Sequence, residues 1–424
     1  MARLAAVSDL RNTDALPSTP EVAEPTTRVT AGWLWLYALA WLGFWLLVML
    51  PGQVMLAQLA RHVDAASKEE LLSLFQFVMM GSIVLAVPLI GYLCDRTELA
   101  WGRRRAWALG GLLVATGAFV VVGSVDSVVL ICVLLVLVSL GEAAVLVALS
   151  AMIADQVPVA QRGRASAAFG VPQVVALAGG MVLVTEVITD VSTAWLVIGG
   201  LGLVVGLPFL LGRREPAPLP GTGVQGSLRH NITPPTPRVA RDYYWAMSTR
   251  VLINAGNLVG TTYLLFYVDD VLHRPNPEGA VLTLTLAYLV FCVAATWLAG
   301  VVSDRTLRRK PLVMLGGGLQ VAAALTLAVS PTWGAALLAA ALLGLGYGAF
   351  LSVDQALTTD VLPDPRTRAR DLGLVNAAQH LPIAPLVGIV VLTATGDSYR
   401  VLYLASAVVM ALGVASVTRI RGVR

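Results

Sequence analysis

Twelve apolar runs, each about as long as a helix that crosses a bilayer, leave this chain few choices of fold. They lie near residues 33–57, 71–93, 106–125, 127–153, 165–187 and 193–212, then 243–269, 279–302, 311–329, 333–358, 371–395 and 398–418. A helix needs roughly 20 apolar residues to cross about 30 Å of hydrocarbon, and inside lipid only helices and closed barrels satisfy their own backbone. The runs are too long for barrel strands, so the sequence predicts an all-α membrane protein. Composition agrees, with 57% hydrophobic and 13% charged residues, against roughly 25% charged in a soluble domain.

The loops supply orientation. Of 29 basic residues, 24 fall on the side that would carry both termini. Arg61, Lys68, Arg274 and Arg400 fall on the other side, and Arg250 lies within a span. Cytoplasmic loops hold the excess of Lys and Arg, so both termini are expected in the cytoplasm. The basic balance is thus topological and implies no nucleic-acid partner. Residues 1–32 hold prolines and acids instead of a secretory leader and read as a disordered cytoplasmic tail. Cys94, Cys132 and Cys292 lack metal-site spacing and read as packing residues.

An internal repeat divides the chain. Gly91, Asp95, Arg96 and Thr97 recur 209 positions later as Gly300, Asp304, Arg305 and Thr306. Arg103, Arg104 and Arg105 recur at 205 as Arg308, Arg309 and Lys310, Asp155 and Pro158 recur at 205 as Asp360 and Pro363, and Gln173 meets Gln379 at 206. Register kept across polar loops implies two six-helix halves, residues 33–212 and 243–418, in parallel orientation. The proline-rich segment 213–242 reads as a cytoplasmic linker, and residues 419–424 as a tail.

The stretch GYLCDRTELAWGRRR (91–105) resembles the loop between the second and third helices of the major facilitator superfamily. Its DRT-x4-GRRR spacing is similar to the glycoside-pentoside-hexuronide cation symporters and the sucrose/proton symporters, and TTYLLFYVDDVL and VDQALTTDVLPDPRTRARDLG look similar to actinobacterial relatives. The resemblance implies secondary active transport of a sugar or glycoside with a proton or other cation, in a bacterial cytoplasmic membrane, by a monomer that needs no cofactor. It also implies a gating latch of Asp95, Arg96, Arg103, Arg104 and Asp155 with Asp304, Arg305, Arg308 and Asp360. The sequence departs from those symporters at Glu142, where an amide is common.

Charge at membrane depth requires a reason. Glu142 lies 13 residues before Asp155, roughly 20 Å from the end of its helix. Hydrocarbon disfavours a carboxylate, so such a group can exchange a proton near neutral pH, and Glu142 is the expected proton carrier. Packing as a hydrogen-bonded, protonated Glu is the alternative. Arg250 and Asp354 fall at equal depth on the seventh and tenth spans and suggest a pair, for coupling, binding or gating. Asn376, Gln379 and His380 share a helical face. With Gln173, and with Asn254 and Asn257 on the seventh span, they offer the amides a sugar needs, or they serve as interhelical hydrogen bonds. Trp41 and Trp45 could face a sugar ring or simply pack. A proton-driven exporter and a non-transporting sensor share the same pattern. No P-loop, nucleophile motif or metal-spaced cluster supports an enzyme or an ATP-driven pump.

Overall fold

The computed structural model describes residues 26–97, 99, 102–158, 161–212, 235–237, 240–306, 309–362, 371, 374–375, 377–378 and 380–421. Among the described residues the regular structure is entirely helical. The twelve spans are α1 (Ala31–Val63), α2 (Lys68–Arg96), α3 (Arg103–Val122), α4 (Val128–Gln156), α5 (Arg162–Val182, continued by a π turn over Leu183–Val187) and α6 (Val191–Leu210). The second set is α7 (Arg241–Asp270), α8 (Pro277–Thr306), α9 (Arg309–Val329), α10 (Trp333–Asp360), α11 (Ile383–Thr395) and α12 (Tyr399–Thr418). Eleven are long and apolar enough to cross a membrane, and α11, at 13 residues, is the shorter twelfth. Twelve helices running alternately up and down, an even number, bring the described start of α1 and the end of α12 to one face, here the terminal face; the other is the far face.

Two expected spans differ in form. The first does not stop at residue 57 but runs to Val63 through a π turn at Pro51–Met55. Pro51 has no N–H, and the Leu56 N–H bonds back to the Pro51 carbonyl five residues earlier, which absorbs the irregularity without exposing backbone. The eleventh span is continuous only from Ile383, because Pro382 precedes it and the chain turns at His380. In α7 the corresponding irregularity is a break at Tyr263, between Arg241–Thr262 and Leu264–Asp270. Adding 209 to residues 51–55 gives 260–264, so α1 and α7 bend at equivalent places.

Helix pairing repeats in the same way. In the first set α1 packs on α5 and α6, and α4 on α2 and α3; in the second α7 packs on α12, and α10 on α8 and α9. Two close crossings share the 205 offset. A Cβ on Gly111 would lie 2.6 Å from the Gly141 carbonyl oxygen, and one on Gly316 would lie 2.6 Å from that of Gly346. Backbones that close accept only glycine, and in lipid such small-residue seams supply helix association through van der Waals contact. Polar helix ends are capped where they meet water. Thr30, Asp190 and Thr332 accept from the backbone N–H three residues on. The Thr193 hydroxyl, which donates to Asp190 Oδ2 at 2.6 Å, and then the Thr193 N–H hold the Asp190 carboxyl below the usual carboxylate range.

Contacts between the sets are few: α2 with α11, α5 with α8, and the π turn of α1 with α7. The gap they leave along the centre is where a solute can sit.

Candidate functional site

A cavity enclosing about 730 Å³ of empty space, part of it open solvent, lies among the helices of the second set and reaches the first through Gln53 and Leu177. The π turn of α1 carries Gln53 to it. The polar part of the wall is Gln53, Asn257, Thr261, Thr285, Tyr288, Tyr403 and Ser406, set among leucine, alanine and Met410. No charged side chain lines it among the described residues. Several of these polar groups are held in place. The Asn257 amide donates to Gln320 Oε1 at 3.3 Å, Ser406 donates to the Gly256 carbonyl at 2.8 Å, and Tyr403 donates to that of Gly260 at 3.5 Å. The site presents neutral donors and acceptors on an apolar floor, a surface for an uncharged molecule with several hydroxyls.

Of the residues expected at the site, Asn257 lines the cavity. Asn254 lies one turn nearer the terminal face, where it donates to the Arg250 carbonyl at 2.8 Å and accepts from Tyr347 at 3.0 Å. Gln173 is one turn before Leu177 on α5 and approaches Met49 Sδ at 3.8 Å. Trp41 and Trp45 stack on each other and pack against Phe44 and Phe169, away from the cavity wall, and the Trp45 indole donates to the Phe169 carbonyl. His380 sits in the turn before α11. Asn376 and Gln379 lie outside the described residues.

Arg250 and Asp354 come together, Nε to Oδ2 at 3.1 Å, with side chains 10% and 4% exposed. Glu142 is 1% exposed on α4, and its Oε1 has no hydrogen-bond partner among the described residues. It does not line the cavity. At the terminal face, Arg104 reaches Asp155 at 2.9 Å and the Cys94 sulfur at 3.3 Å, with Arg103 at 3.6 Å from Asp155. Arg105 lies over Phe209, and Arg96 over Tyr92. The side chains of Asp95, Asp304, Arg305 and Asp360, and all of Arg308, lie outside the described residues.

The feature that sequence reasoning missed is at the far face. Arg61 at the end of α1 bonds Asp269 at 3.1 Å and also Glu278, Lys68 clasps both oxygens of Asp270 at 2.6 and 2.7 Å, and Ser73 meets Tyr263 at 2.7 Å. Tyr399 lies 2.7 Å from Glu69. Each link joins the first set to the second, so the far ends are locked shut. The signal available was the acid pair in YVDDVL and two of the four basic residues outside the basic face.

Geometry of this kind, twelve spans in two repeated sets with a neutral central cavity closed at one face, defines a polytopic transporter of small molecules. The sequence profile of the Major Facilitator Superfamily matches residues 33–296 and 277–422, and the chain belongs to that superfamily. It is a transporter and not an enzyme. Among curated proteins none matches. Among solved structures the fold is similar to a mutant of the nucleoside transporter NupG, with TM-score 0.72 at 13% identity over 92% of this chain and 99% of that one. It is also similar to a bacterial homologue of the human lysosomal transporter Spinster, inward-facing and occupied, with TM-score 0.68 at 16% identity over 92% and 96%.

Proposed function

We propose that the protein carries a neutral, hydroxyl-rich solute of the sugar or glycoside class inward across a bacterial cytoplasmic membrane, together with protons, by alternating access. The observation that carries this reading is the uncharged amide and hydroxyl lining of the cavity. A charged solute would be left without a counter-ion in that wall, at the cost of an unpaired charge in an apolar setting. A nucleoside is itself an N-glycoside, so the likeness to a nucleoside transporter fits the same chemistry.

Glu142 supplies the coupling. A carboxyl group 1% exposed, with its Oε1 unpartnered among the described residues, is one whose occupancy by a proton changes when rocking of the halves admits water. The far-face lock is the closed exterior gate of this reading, and the excess of Lys and Arg in the terminal-face loops supports a cytoplasmic terminal face.

The test is uptake into proteoliposomes under an imposed inward proton gradient, with labelled glycosides and nucleosides as the panel. One proton moving down about 100 mV supplies roughly 2.3 kcal/mol, a concentration ratio of about fifty. Accumulation of a neutral glycoside that Glu142→Gln reduces to simple equilibration is the expected result. Uptake of charged solutes alone, or full accumulation by Glu142→Gln, would overturn it.

A further inference from the structure

We infer that the far-face lock is a proton-binding site in its own right, closed only when Glu69 carries a proton. The inference rests on a count of hydrogens. Tyr399 Oη lies 2.7 Å from Glu69 Oε1 and 2.8 Å from Asp270 Oδ2. A phenol has one proton and can donate to one of them. The other contact sets two oxygens at hydrogen-bond distance, and it is attractive only if the second carboxyl brings a proton of its own.

Surrounding charges decide which carboxyl that is. Lys68 sits 2.6 and 2.7 Å from the two Asp270 oxygens but 3.8 Å from Glu69. Asp270 therefore holds its counter-ion in direct contact, whereas Glu69, 7% exposed, has Lys68 only at 3.8 Å. The arrangement that satisfies every atom runs in one direction: Glu69 O–H donates to Tyr399, Tyr399 O–H donates to Asp270, and Lys68 neutralises Asp270. The groups that face Glu69 are Lys68 from α2, Asp270 and Tyr263 from α7, Tyr399 from α12 and Asp397 from the turn before α12. Tyr263 reaches it through Ser73, which donates to the Glu69 carbonyl and so accepts from the Tyr263 hydroxyl.

The wider lock gives the same answer. Closure gathers Glu69, Asp269, Asp270 and Glu278 around Arg61 and Lys68. Four carboxylates against two cations repel, and one proton on Glu69 relieves the excess. Opening returns Glu69 to water on the same side from which its proton came. This proton is consequently not carried across the membrane; it sets the equilibrium of the gate, and acid on the far side favours closure.

The experiment is a spin-label distance measurement on the full-length protein in nanodiscs. Labels go on Ala65→Cys and Pro275→Cys, at exposed positions on either side of the lock, with Cys94, Cys132 and Cys292 replaced by serine. Across about pH 5 to pH 9, the ratio of short to long distances should rise on acidification, by up to about tenfold per pH unit for one linked proton. Glu69→Gln, whose amide donates to Tyr399 as the protonated acid does, should stay closed throughout that range. The response should persist in Glu142→Gln, which separates it from the coupling proposed above. A pH-independent distribution in the labelled reference protein, or a Glu69→Gln variant that titrates like it, would overturn the inference.

Discussion

Asp354→Asn removes one charge from a buried pair and leaves Arg250 facing an amide. The two side chains are 3.1 Å apart and nearly sealed from solvent. Two unit charges about 4 Å apart at an effective dielectric near 20 attract by roughly 4 kcal/mol, and loss of one partner from a buried pair is observed to cost about 3–5 kcal/mol. The two figures agree because both describe an uncompensated charge. Asp354 Oδ1 has no hydrogen-bond partner among the described residues, so an amide group at that atom breaks no hydrogen bond there and the loss is mainly that of charge.

At about 2–4 °C per kcal/mol for a unit of 150–250 residues, Asp354→Asn should lower the melting temperature of the purified protein by roughly 6–20 °C. Arg250→Gln should do the same. The double variant removes both charges and should recover most of the loss, since a neutral pair in the same space is close to balanced. Thermal unfolding in one detergent, followed by intrinsic tryptophan fluorescence, measures all three. A double variant whose loss equals the sum of the two single losses would refute direct pairing and place each charge with a different partner.

Three other outcomes follow from the geometry. Gly141→Ala should destabilise by about 1–3 kcal/mol, because α3 and α4 touch there, whereas Gly110→Ala, with open space around it, should be neutral or stabilising by up to about 1 kcal/mol in helix propensity; thermal unfolding of both variants compares them. Asn257→Leu should weaken binding of a neutral solute by up to about tenfold, the worth of one hydrogen bond, with Gln320 Oε1 deprived of its Asn257 donor; isothermal titration against the transported glycoside reads it. Asp190 has its carboxyl held low by Thr193, so its cap is present above the ordinary carboxylate value and lost as pH falls through the depressed one. Exchange of the Thr193 amide, normalised to Asp190→Ala, should lose its protection only below the ordinary carboxylate range.

The membrane-spanning pattern was legible because lipid makes it a local property: each run of twenty apolar residues states its own fate. The two halves were legible because the repeated loops keep register. Depth counting along single helices also drew attention to Glu142, Arg250 and Asp354. The cavity wall was harder to read, since Thr285, Tyr288, Tyr403 and Ser406 are isolated polar residues in apolar helices and nothing local says which way they face. The far-face lock was harder still. Its partners are 208 residues apart for Arg61 and Asp269, and 330 for Glu69 and Tyr399. No local period encodes such contacts, and they exist only in the arrangement in which the far face is shut.

The repeat also shows how the halves have parted in chemistry. In the first set the Tyr37 hydroxyl donates to the Leu149 carbonyl at 2.9 Å across the α1–α4 seam. Adding 205 to Leu149 gives Asp354, and adding 209 to Trp41 gives Arg250, so the ion pair of the second set occupies the equivalent seam. One step further in, Trp45 and Glu142 correspond to Asn254 and Tyr347. There the second set closes its own bond, from the Tyr347 hydroxyl to Asn254, whereas in the first set the Trp45 indole turns to Phe169 and leaves Glu142 Oε1 without a partner. An acid with no partner is free to exchange a proton, and a polar pair that is already satisfied is not. On the proposed reading the labour is divided: the second set shapes the neutral cavity and pairs its buried carboxyl with Arg250, and the first keeps a carboxyl oxygen unpartnered among the described residues. Transplanting the satisfied pair, as Trp45→Asn with Glu142→Tyr, should therefore give a protein that folds and exchanges solute at equal pH yet fails to concentrate it on a proton gradient. Accumulation by that double variant would show that the asymmetry between the seams has nothing to do with coupling.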